Sequence, residues 1–222
     1  MKFFLFFIVI FCSIVSGCGV DLESVFIENI SEVQREVCTG KYGDISAILI
    51  TGERESEYIK NGYSTEKISF AILTIRSEDN KPLEECEYTL ICDDKSYSGN
   101  FISNPYGGLI VDIGSVELGR VMVLTVSFEE TVIDIVLRPI TDDIISCDEV
   151  VGIVTNLYRG ELRGLVRKKS FEGEVYIKLL GNIESGGSDL CWGVTVITRK
   201  GSRWNYVISA YTGEVLSKQI CE

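Results

Sequence analysis

Apolar residues fall along this chain in three textures: one dense block at the start, a loosely spaced segment, and then short alternating runs divided by turn residues. Phe3 to Val15 is apolar apart from Cys12 and Ser13. Between residues 20 and 40, Val25, Ile27, Ile30, Val33 and Val37 are spaced loosely as on a helix, which predicts a short amphipathic entry segment. From Asp44 to Ile140 the texture becomes β-branched and aromatic. Strands are predicted over Ile45–Thr51, Ile68–Arg76, Cys86–Cys92, Ser96–Ile102, Leu109–Ile113, Val121–Phe128 and Val132–Leu137. Glu78-Asp79-Asn80-Lys81-Pro82, Asp93-Asp94-Lys95, Asn104-Pro105-Tyr106-Gly107-Gly108 and Glu129-Glu130 lie between them as turn material.

Strands this short and this closely spaced predict an immunoglobulin-like β-sandwich over residues 44–140. Pro139 to Ser146 is a polar junction in which Asp142-Asp143 and Ser146 can cap free helix amides, so a boundary is placed there. Val150, Val154, Leu157, Leu162 and Leu165 then predict a helix over Cys147–Lys169, broken near Gly160 and Gly164. Strands follow at Glu174–Leu180, Leu190–Thr198 and Trp204–Tyr211, with Lys200-Gly201 as a hairpin turn. The predicted fold is therefore mostly β with an α+β part: a sandwich followed by a small helix-plus-antiparallel-sheet domain over residues 145–222.

The initial block has the layout of a secretory signal, residues 1–17, with Lys2 as its positive start. As a helix, Phe3–Val15 spans roughly 20 Å, against the roughly 30 Å of hydrocarbon that a permanent anchor must cross. It is followed by Val15-Ser16-Gly17-Cys18, which resembles the lipobox of bacterial lipoproteins: an aliphatic residue, two small residues that fit a narrow peptidase cleft, then the cysteine that becomes the mature N-terminus. The resemblance implies lipidation of the Cys18 thiol as a diacylglyceryl thioether, with palmitate-like chains. Two chains hold where one holds only marginally. Residues 18–43 are then a lipid-anchored N-terminal segment, and the expected location is the extracytoplasmic face of a bacterial membrane.

Charge narrows the partners. The chain carries a formal −12, and cleavage before Cys18 removes Lys2 and no anion, leaving −13 on the exported part. Nucleic acid is excluded as a partner class, because its phosphates would meet like charge. An anionic bilayer would repel the body of the protein, leaving the lipid to hold it. The exception is a basic cluster at Arg163, Arg167, Lys168 and Lys169, which suits an acidic partner, a lipid headgroup, or simply a helix C-terminus.

The chain has no histidine, which excludes Ser-His-Asp and Cys-His catalysis and imidazole metal sites. No catalytic residue, metal site or cofactor is assigned. Glu53, Glu55 and Glu57, Glu84-Glu85 and Asp93-Asp94 lack EF-hand spacing and read as solvated charge. Six cysteines remain beyond the leader and the lipobox: Cys38, Cys86, Cys92, Cys147, Cys191 and Cys221. An even number in an oxidising compartment predicts structural disulfides, of unassigned connectivity. Cys86 and Cys92, roughly 20 Å apart along one strand, are not partners of each other.

Tyr206-Val207-Ile208-Ser209-Ala210-Tyr211-Thr212-Gly213-Glu214-Val215-Leu216 resembles the end of a PepSY domain, a small module of secreted and membrane proteins. The helix from Cys147 and the strands at Glu174–Leu180 and Trp192–Thr198 follow in the order that module has, so the resemblance spans roughly Ile145 to the C-terminus. The chain departs from the family at Ser209, where an aspartate is usual. The resemblance implies a module that restrains or guides an envelope peptidase and brings no catalytic residues.

Trp192 and Trp204 flank the last predicted hairpin and form a candidate binding surface, or pack on the helix of the same domain. The expectation is a non-enzymatic, lipid-anchored cell-envelope protein that binds a peptidase or another envelope protein. Two alternatives stand beside it. A cell-wall hydrolase working with carboxylates alone requires two of them facing each other in a cleft. A solute-binding or structural lipoprotein requires an enclosed apolar pocket between the domains.

Overall fold

A computed structural model describes residues 21–56, 65–78, 82–84, 86–119, 121–128, 131–140, 143–181 and 190–221. The leader and Cys18 lie outside the described residues, as do Glu57 and Glu85. Among the described residues no helix is long and apolar enough to cross a membrane. The described residues are mostly β, with three short helices among them: α1 (Leu22–Glu28), α2 (Cys147–Leu157) and α3 (Arg159–Arg163).

The entry segment is helical only as far as α1. It continues as the 13-residue strand β1 (Ile30–Tyr42). β1 pairs antiparallel with β2 (Ile45–Glu55), which pairs with β3 (Lys67–Ser77), which pairs with β7 (Leu109–Asp112) and through it with the two-residue β6 (Ile102–Ser103). A second layer runs β5 (Lys95–Asn100), β4 (Glu87–Cys92), β8 (Met122–Ser127) and β9 (Val132–Pro139). The layers join where β9 meets β1 at Cys38–Pro139 and Thr39–Arg138. Gly40 permits that crossing, because a Cβ there would stand 2.4 Å from the Val136 carbonyl oxygen. Leu49, Leu73 and Ile75 from one layer and Leu90, Leu124 and Ile135 from the other fill the space between.

The other end of β1 runs parallel to β12 (Gly173–Leu180). From there the sheet continues antiparallel through β13 (Cys191–Thr198), β14 (Arg203–Ser209) and β15 (Val215–Cys221). Alternation along these strands sends Val175, Ile177, Trp192, Val194, Val196, Tyr206 and Ile208 to one face, which the three helices cover. Ser146 starts α2 with a capping box: its Oγ accepts from the Glu149 amide, and the Glu149 carboxylate accepts from the Ser146 amide. The predicted single broken helix ends at α3. Val166–Arg167 (β10) and Ser170–Phe171 (β11) form a separate hairpin around Lys168-Lys169.

The expected disulfides are absent: none of Cys38, Cys86, Cys92, Cys147, Cys191 and Cys221 is bridged. Strand register explains much of this. Cys191 stands opposite Ser209 and Cys221 opposite Arg203, so the two lie six residues apart along β14, roughly 20 Å, where a bridge needs Cα atoms within roughly 7 Å. Cys38 faces Leu49 and Pro139 across its ladders, and Cys92 faces Lys95 and Met122. Cys38, Cys86 and Cys92 pack between the two layers as small apolar side chains.

Candidate binding surfaces

The helices cover one face of the β12–β15 sheet, and the alternate residues emerge on the other. Cross-strand register arranges them in three rows. Tyr176, Thr195, Asn205 and Gln219 form the middle row; Lys178, Gly193, Val207 and Ser217 lie on one side, and Glu174, Ile197, Arg203 and Cys221 on the other. None of these residues is buried. Leu180, 45% exposed, leans across Gly193, where a Cβ would meet its Cδ1 at 2.6 Å.

Local bonds fix several of these groups. Thr195 Oγ1 and Asn205 Oδ1 are 2.9 Å apart, and the Tyr176 hydroxyl donates to Glu174 Oε2 at 3.0 Å. Lys178 pairs with Glu32 of β1 at 2.7 Å. The face thus mixes aliphatic, aromatic, amide and charged groups on the strand ladder.

The two tryptophans do not form one platform. Trp192 is fully buried, and its Nε1–H donates to the Ile145 carbonyl at 2.9 Å, tying β13 to the residue just before the α2 cap. Trp204 is half-buried against the helical core. Their positions on β13 and β14 are both even-numbered steps of strands whose odd-numbered residues form the open face, a distinction that alternation alone carries once the strand ends are known.

A second feature joins β1, β2 and α2. Arg35 contacts Glu53 at 3.5 Å, Asp148 at 3.2 Å and the Cys147 sulfur at 3.4 Å. Burial pushes the Cys147 thiol up, with the Asp148 carboxylate adding to it, despite the opposing pull of the Arg35 guanidinium. The thiol is thereby kept protonated, as an inert structural cysteine is. Cys86, in the sandwich core, is pushed up to about 11 by burial alone.

At the far end of β3, Arg76, Leu83, Asn104, Pro105 and Tyr106 line an open cleft of about 310 Å³. Among the described residues no three acidic or cysteine side chains are grouped to hold a metal ion. The basic residues singled out in the sequence are exposed on α3 and around the β10–β11 hairpin, and the fold brings the β13–β14 turn beside that hairpin through Glu172.

Comparison with known proteins finds no family model, no curated protein and no solved structure that matches this chain.

Proposed function

We propose that this protein is a non-enzymatic, lipid-anchored component of a bacterial cell envelope that binds another protein on the open face of the β12–β15 sheet. The observation that carries the reading is the asymmetry of that sheet: among the described residues, helices seal one face and the other presents three ordered rows of side chains outside the core. A tether at Cys18 explains the apolar leader and the lipobox-like segment. We read β2 to β9 as an immunoglobulin-like sandwich and the helix-covered sheet as a PepSY-like module, supported by the order of one helical region followed by antiparallel strands and by the Tyr206–Leu216 run. On this reading the partner is an envelope peptidase or a comparable envelope protein.

The test is photocrosslinking in cells from probe residues placed at Asn205 and Val207, with Glu87 on the sandwich as control. A discrete adduct from the two sheet positions and none from Glu87 supports the proposal. Identical adducts from all three, or none from any, would reject the open face as the binding surface.

A further inference from the structure

The most uneven feature of this acidic molecule is where its cations are. The β10–β11 hairpin carries Arg167, Lys168 and Lys169 in succession, and the β13–β14 turn carries Arg199, Lys200 and Arg203, all six exposed. The two segments are thirty residues apart in sequence but adjoin in space. Glu172 accepts from Arg199 Nη1 at 3.1 Å and pairs with Arg167 Nε at 3.3 Å, and the Arg199 amide donates to the Glu172 carbonyl at 3.4 Å. Among the described residues no ion pair is formed by Lys168, Lys169, Lys200 or Arg203. A chain of net charge −12 therefore presents a concentrated positive end.

The hairpin turn is built at a conformational cost. Lys168 has φ +51° and Lys169 φ +68°, the left-handed conformation for which a two-residue turn ordinarily uses glycine or asparagine. Two lysines hold it instead, so the tip is both rigidly turned and doubly charged.

We infer that this end of the molecule docks on anionic phospholipid headgroups and orients the protein on the membrane that holds it. The inference rests on the lipid-anchor reading of Cys18. Three residues separate Cys18 from Leu22, so the four residue steps span at most about 14 Å of extended chain. α1 then packs directly beside the hairpin, with the Phe26 and Phe171 rings 5.4 Å apart. Phe171 is only two residues beyond Lys169. Tether and cations thus belong to one neighbourhood. Attraction to a headgroup layer fades beyond a Debye length of roughly 8 Å at physiological salt, so only cations close to the surface contribute, while the acidic remainder is repelled. A short tether and a positive end together select one orientation. An acidic protein partner would offer the same charge, but the chain length to the lipid favours the membrane.

The test uses the full lipidated chain with vesicles of phosphatidylcholine alone or with phosphatidylglycerol added. Flotation reads the tether, and amine labelling of Lys168, Lys169 and Lys200, referred to Lys95 on the sandwich, reads the docking surface. We expect flotation with both vesicles. Labelling of the three lysines should fall roughly threefold on phosphatidylglycerol only, with full recovery in high salt and no protection of Lys200 in the Lys168→Glu, Lys169→Glu variant. Equal labelling on both vesicles overturns the docking surface and leaves the tether standing. Salt-reversible flotation with phosphatidylglycerol alone supports the surface and overturns the tether. Flotation with neither overturns both.

Discussion

Val37 and Cys38 are neighbours in β1, and each is buried in a different core. Val37, fully buried, packs with the helices, while Cys38, 1% exposed, packs between the two strand layers. Ile48 and Ile50 against Ala47 and Leu49 repeat the division on β2. The two cores therefore lie on opposite sides of one pair of strands, and neither can dissolve without releasing β1. Val37→Ala should cost about 2 kcal/mol and lower the unfolding midpoint equally by tryptophan fluorescence, which reports the helical core, and by far-ultraviolet circular dichroism. Separate midpoints would show that the cores unfold independently.

The Tyr206 hydroxyl is buried with no hydrogen-bond partner, between Tyr158 and the Lys218–Glu161 ion pair. Burial, with the Glu161 charge adding to it, pushes its pKa up, so the group stays neutral. Removing an unsatisfied buried hydroxyl removes its desolvation cost. Tyr206→Phe should leave stability unchanged or raise it by about 1 kcal/mol in chemical denaturation. A loss of that size would show that the hydroxyl is bonded in solution.

Glu149 is held below its usual carboxyl range, first by the bond from the Ser146 amide and then by its side chain. A depressed folded-state pKa stabilises above the unfolded value and is lost as pH falls through the folded one. The stability gap between wild type and Glu149→Ala should be full near neutral pH and close as pH drops below 4.5, the group's ordinary value. A gap independent of pH in denaturant titrations would mean that the carboxylate does not close the capping box.

Thiol reactivity should follow burial. Without reductant, Cys221, exposed at the end of the edge strand, should alkylate first in the native protein. Cys86, buried and with its thiol pushed up to about 11, should resist until unfolding. After denaturation all six described cysteines should take up reagent. Peptide masses lower by one pair of hydrogens would reveal a bridge.

Much of the strand pattern from Ile45 to Leu137 is legible in the sequence. The predicted runs at Ile45, Ile68, Leu109, Val121 and Val132 each coincide with a strand, because β-branched and aromatic runs there are bounded by turn residues. β1 was hidden for a physical reason. Ile30 and Val33 both serve the helical core although three residues apart, and a register shift between Ile30 and Glu32 makes this possible. A bulge thus imitates helical spacing. The cap at Ser146 and the turn at Lys200-Gly201 were readable from local chemistry. The meeting of the two basic turns was not, since it depends on Glu172 joining segments that only the sheet brings together.

The intact mass of the protein extracted from membranes tests the account most directly. The tethered reading predicts a chain beginning at Cys18, heavier than its sequence by a diacylglyceryl group. An unmodified chain, or one beginning at another residue, would contradict it.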